Sequence, residues 1–244
     1  MLNNDYFILG CWTDLDINVL NNYLHSSGNA DKVEWTKKIV NTKMPVFAIP
    51  AKEIKELSKM IARGNMESYM DCKNFNSYES CLIYGNLLNK IKDVNLVRKY
   101  LKSYAEIVDN WALCDVLSLK VTDKNYLEFF ELSKDYLASS KEFSKRIGFR
   151  MLFKLIKYQD LHEEIFSLIE NFEEEDAYYV NMIVAWLIAE MFIKFREKTL
   201  KFLENGKLND FAINKAVQKC RDSYRVTKED KEMLLKFKRT IDNE

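Results

Sequence analysis

The scarcity of residues that break helices is the feature that most restricts this chain. Six glycines and two prolines are spread over 244 residues, against average usage of roughly 7% and 5%. A sheet protein needs turn residues every ~8–12 positions, and this sequence lacks them. Its long stretches of Leu, Lys, Glu, Ile, Met and Ala favour helix. The expected fold class is all-α. Apolar spacing and cap residues predict helices near 5–25, 31–41, 50–63, 75–91, 94–105, 107–119, 123–138, 141–157, 160–170, 176–195, 197–204, 208–222 and 227–240. The segment "TKED" at Thr227 reads as a capping box closed by Asp230. Helices of ~10–18 residues joined by ~2–6-residue loops form antiparallel pairs. That rhythm predicts a solenoid of helical pairs, with a globular bundle as the competing arrangement. No low-complexity linker divides the chain, so 1–244 reads as a single helical-repeat domain.

Charge and rare residues narrow the function classes. Lys plus Arg and Asp plus Glu each number 37. Net charge therefore gives no push toward nucleic acid, and only a local basic patch would. Five cysteines, an odd number without C-x-x-C spacing, argue against disulfides or a zinc site and suit a reducing cytoplasm. The two histidines, His25 and His162, lie far apart in sequence, with no H-E-x-x-H. No metal and no cofactor are expected. The N-terminal residues lack the basic and apolar regions of a signal peptide. The most apolar run, 178–195, is interrupted by Asn181 and Glu190 and reads as a buried core helix, not a membrane span.

Three features could carry chemistry. At about 100° per residue, Arg146, Arg150, Lys154 and Lys157 fall on one face of the predicted helix 141–157. Such a cationic stripe suits a phosphate backbone, and an ordinary solvated face is the plain alternative. Trp111 and Asp115 stand at i, i+4 in "EIVDNWALCDVLSLK", which reads as an apolar helix. A ring that attracts cations beside a carboxylate that stabilises positive charge suits a cationic ligand or transition state. A core Trp beside a surface Asp is the alternative. Trp186 sits in a helix apolar nearly all round and on that pattern reads as core rather than site. Trp12 and Trp35 read as packing residues, and the acidic run 170–179 as a solvated helix start.

In order and spacing, "NWALCDVL", "SKRIGFRMLF" and "YYVNMIVAWLIAEM", with "KMPVFAIPAKEIKELSKMI" upstream and "NKAVQKCRDSYRVTKEDKEML" downstream, resemble the AlkD-like DNA alkylation repair family over about residues 40–240. The resemblance implies a right-handed solenoid of HEAT-like repeats with a concave, partly basic face. It implies a DNA glycosylase that excises cationic alkylpurines of the 3-methyladenine and 7-methylguanine type. Asp115 would then be the catalytic carboxylate that stabilises the oxocarbenium-like sugar and orients water. Trp111, Trp186 and Arg146 would bind the substrate, and Arg150, Lys154 and Lys157 the DNA backbone. The partner would be double-stranded DNA with alkylated bases, bound by a monomer without metal, cofactor or membrane. The alternative is a non-catalytic HEAT-like binder of damaged or branched DNA, or a protein-interaction scaffold.

Overall fold

A computed structural model describes residues 5–240. Among the described residues every regular element is helical: fourteen α-helices, two short 3-10 turns and no strand. The chain divides into two compact units, the first ending at Phe129 and the second beginning at Phe130. The division falls within α8 (Tyr126–Leu137).

The first unit holds α1 (Asp14–Ser26), α2 (Ala30–Val40), α3 (Ala51–Arg63), α4 (Met66–Asp71), α5 (Tyr78–Leu88), α6 (Val94–Ile107) and α7 (Trp111–Asp115). Its centre is α5, buried along nearly its whole length and packed against α1, α3, α6 and α7. Two devices tie α5 to its neighbours. Gly85 allows a close approach, since a Cβ there would lie 2.6 Å from Val116 Cγ1 and 2.8 Å from Tyr104 Oη. Tyr104 itself is fully buried, stacks on Tyr84 with ring centroids 5.8 Å apart, and donates its hydroxyl to the Leu113 carbonyl at 2.9 Å. The second device is Glu79, buried in the first turn of α5. Its carboxylate accepts backbone N–H groups of Phe47 (3.0 Å) and Ala48 (2.7 Å), holding a loop in which Ala48 sits at φ 58°. Burial raises the Glu79 pKa, and these backbone donors only partly offset it.

The second unit holds α9 (Glu142–Leu155), α10 (His162–Glu170), α11 (Tyr178–Lys194), α12 (Arg196–Asn205), α13 (Asp210–Asp222) and α14 (Lys228–Met233), followed by a 3-10 turn at Leu234–Phe237. Its centre is α11, whose Val180, Ile183, Val184, Leu187, Ile188 and Met191 are buried. Helices α9, α12 and α13 pack on it. In each unit, helices two apart in the chain stack side by side: α3, α5 and α7 in the first, α9, α11 and α13 in the second. That alternation is what a stack of helical pairs produces, so the chain is an all-α helical repeat. No helix among the described residues is long and apolar enough to cross a membrane.

Several expectations need correction. The first helix begins at Asp14, not near residue 5, because Thr13 and Asp16 form a reciprocal capping box. A short helix, α4, starts where Asn65 accepts the Ser68 N–H. The stretch read as one helix over 107–119 is broken. Helix α6 runs to Ile107, Val108 turns extended, and Asn110 caps the five-residue α7. At the other end, Thr227 accepts the Asp230 N–H at 3.2 Å, but the Asp230 carboxylate is engaged by Arg196 at 2.7 and 2.9 Å. Trp35 is exposed rather than packed, whereas Trp12 is buried against Phe7 and Tyr69. The acidic run 170–179 is mostly a connection between α10 and α11, and its Glu175 carboxylate is nearly buried in an ion pair with Lys145.

Candidate functional site

In the first unit, α7 exists because of a clasp upstream of it. Asp109 accepts the Thr42 hydroxyl at 2.8 Å, the Lys43 N–H at 2.8 Å and an Asn110 amide N–H at 2.8 Å. Fully buried Asn110 then caps α7 by accepting the Leu113 N–H at 3.1 Å. The cap places Trp111 at the first helical position and Asp115 at the last. The i, i+4 spacing keeps the two on one face, and both are half-buried. The Trp111 ring is held by its edge: the indole N–H donates to the Ile39 carbonyl at 3.1 Å. That carbonyl lies in the last turn of α2, where backbone acceptors lack helical partners.

In the second unit, the stripe on α9 divides. Arg146 is only 5% exposed and donates Nη1–H to the Tyr179 carbonyl at 2.7 Å. It therefore turns toward the start of α11 and leaves the solvated stripe. Its neighbours act alike: Glu142 accepts the Tyr179 N–H at 2.8 Å, and Lys145 pairs with Glu175 at 2.5 Å. Burial pushes the Glu175 pKa up, but Lys145 and the Ala177 N–H outweigh it, so the carboxyl lies below the usual range. The first turns of α9 thus fix where α11 begins. Lys154 and Lys157 are exposed, with Lys157 just beyond the end of α9 and its ammonium 4.5 Å from the Tyr158 ring.

Arg150 and Trp186 meet directly. The Arg150 guanidinium lies 5.6 Å from the Trp186 ring and 5.3 Å from the Phe153 ring, and the two rings are 4.6 Å apart. Half-buried Trp186 therefore already accepts a planar cation. One turn further along α11, Glu190 forms a two-pronged pair with Arg225, one contact at 3.1 Å and a second shorter still. Arg225 holds the Glu190 carboxyl below the usual range against its partial burial, with Lys194 and Trp186 adding to the effect. Phe153, Glu190 and Arg225 were missed from sequence. The first two carry a signal in hindsight, at i+3 from Arg150 and i+4 from Trp186, but Arg225 lies 35 residues from Glu190 and carries none. Among the described residues, no three His, Cys, Asp or Glu side chains gather to hold a metal ion. None of the five cysteines forms a disulfide, and burial pushes the thiols of Cys81 and Cys220 up to about 12.

Comparison with known proteins adds one finding. A family model described as "DNA alkylation repair enzyme" matches residues 20–220. No curated protein matches the chain.

Proposed function

The chain belongs to the family of DNA alkylation repair enzymes, and from that premise we propose that it is a monofunctional DNA glycosylase for cationic alkylpurines. The observation that carries this reading is the half-buried pair Trp111 and Asp115, set side by side on a helix whose position is fixed by Asp109 and Asn110. Alkylation at N3 or N7 places positive charge on a purine and weakens its glycosidic bond. As the base departs, the sugar takes on oxocarbenium character. Asp115 stabilises that cation and orients the water that attacks it, a contribution on the order of 3–4 kcal/mol if it resembles other preorganised electrostatic contacts. Trp111 offers a ring face to a cationic base, worth about 0.5–2 kcal/mol, while the Trp186 ring is already taken by Arg150. Cleavage of this bond by water and a carboxylate uses no cofactor, and the chain acts on duplex DNA as a monomer.

The basic residues take different parts. Arg150, Lys154 and Lys157 are the candidates for backbone phosphates, Arg150 while lying against Trp186. Arg146 enters as a positioning residue: it holds the start of α11, and with it the register of Trp186, through the Tyr179 carbonyl. The test is release of 7-methylguanine or 3-methyladenine from DNA treated with a methylating agent, wild type beside Asp115→Asn. Release by the wild type alone, with DNA bound by both, is expected. No release from either protein while both bind DNA would replace the enzyme with a non-catalytic repeat binder.

A further inference from the structure

A cavity of about 720 Å³ lies between one face of α13, the helix α14 and the tail at Lys238 and Arg239. Six of its lining side chains are cations, Lys215, Arg221, Lys228, Lys231, Lys238 and Arg239, and two, Asp222 and Glu232, are acids. This is a local excess of four positive charges in a chain whose formal net charge is zero. Gathering like charges in a concave region costs self-repulsion and raises the local concentration of anions. Two of the cations are already engaged. Arg239 pairs with Asp210 at 3.0 Å and donates to the Leu208 carbonyl at 2.8 Å. Lys215 donates to Gln218 at 3.2 Å and lies 5.6 Å from the Phe211 ring. Arg221, Lys228, Lys231 and Lys238 form no ion pair with another described residue.

The cavity wall is anchored. The Asn214 side chain bonds both the carbonyl and the N–H of Arg239, each at 2.9 Å, and so clasps the tail to α13. Leu234, fully buried, anchors the 3-10 turn that leads to that tail, and this turn packs on α13. The unpaired cations therefore project from three segments with defined backbones. Three of the four are lysines, compact point charges that suit phosphate. Arg221, Lys228 and Lys238 are exposed and Lys231 is half-buried, so none of them closes over a single buried point. Exposed cations on three separate segments fit the repeated phosphates of a polymer better than a single free anion.

We propose that this cavity is a second DNA-backbone site, which seats phosphates of duplex outside the position of the lesion. It rests on the reading of DNA as the partner, and it would act on affinity, not on bond cleavage. The variant is Lys228→Gln, Lys231→Gln, Lys238→Gln, with a companion in which the same three become Arg. Binding to undamaged duplexes of two lengths is measured between 50 and 200 mM salt, with release of methylated base in parallel. Three lost phosphate contacts should lower the slope of log affinity against log salt by about 2–3 on the longer duplex. The Arg companion should keep the wild-type slope, and base release at saturating DNA should stay within about twofold of wild type.

An unchanged slope in a Gln variant that melts like wild type overturns the proposal. Binding of inorganic phosphate to the wild type without a change in DNA slope also overturns it, in favour of a free-anion site. A Gln variant that loses base release on the shorter duplex in step with affinity places these lysines at the lesion and overturns it as well. If the wild type binds DNA with the expected slope change but releases no base, the cavity assignment stands and the glycosylase reading falls.

Discussion

Replacing Asn110 by Ala removes the clasp that starts α7. Two losses follow from its contacts. The side chain caps α7 through the Leu113 N–H at 3.1 Å, and loss of such a cap costs about 0.5–2 kcal/mol. It also donates to Asp109 at 2.8 Å. Asp109 keeps Thr42 and the Lys43 N–H and is half-buried, so water recovers part of that contact and the net loss is about 1 kcal/mol. The two together come to roughly 1.5–3 kcal/mol, which lowers the melting temperature by about 3–12 °C for a chain of this size. Asn110→Ser keeps a cap oxygen and gives up only the donor, so it should recover about half of the deficit. Thermal melts followed by far-UV circular dichroism measure both variants. Because Trp111 and Asp115 stand at the two ends of the capped helix, base release should fall further in Asn110→Ala than DNA affinity does. A melt within ~1 °C of wild type, or a Ser variant no better than Ala, would refute this account of α7.

Other perturbations probe separate links. Gly85→Ala drives a Cβ against Val116 and the rigid, buried Tyr104, an overpacking cost of about 1–3 kcal/mol that urea titration reads. Glu79→Ala strands the Phe47 and Ala48 N–H groups at about 1–3 kcal/mol each, and the same titration should show a larger loss than for Gly85→Ala. Two of the perturbed glutamates, Glu190 and Glu79, give opposite pH slopes. Glu190, lowered by Arg225, contributes stability in full above the ordinary Glu pKa of about 4.3 and loses it as the pH falls through its own lower value. Glu79, raised by burial, withdraws stability as the pH climbs from that ordinary value through its own higher one. Chemical melts from pH 3 to 7 should therefore be flatter at the acid end for Glu190→Gln than for wild type. Arg150→Ala removes the cation from the Trp186 face, at about 0.5–2 kcal/mol, and should change the indole emission without unfolding the chain.

Some of this architecture was legible in the chain alone because its causes are local. Few breakers, long apolar periodicity and regularly placed caps suffice for an all-helical repeat. The i, i+4 step alone places Trp111 and Asp115 on one face. Asn209 is readable as a cap from its own neighbours, and it does accept the Ala212 N–H. The apolar run 178–195 reads correctly as a core helix, since α11 is buried on α9, α12 and α13.

What stayed hidden was decided by residues distant in sequence. "VDN" at 108–110 looks like a polar step within a helix, and it becomes a break because Asp109 finds Thr42, 67 positions away. Arg146 and Arg150 are equivalent by periodicity. Arg146 is buried because the Tyr179 carbonyl, 33 positions on, meets it, while Arg150 meets the Trp186 ring. The cationic cavity on α13 depends on the tail folding back onto Asn214. Composition and local spacing thus determined which segments are helical and which residue types they present. Tertiary packing alone decided where a helix ends, which cation is buried and which remains exposed, because each of those outcomes is set by a partner that the local sequence does not contain.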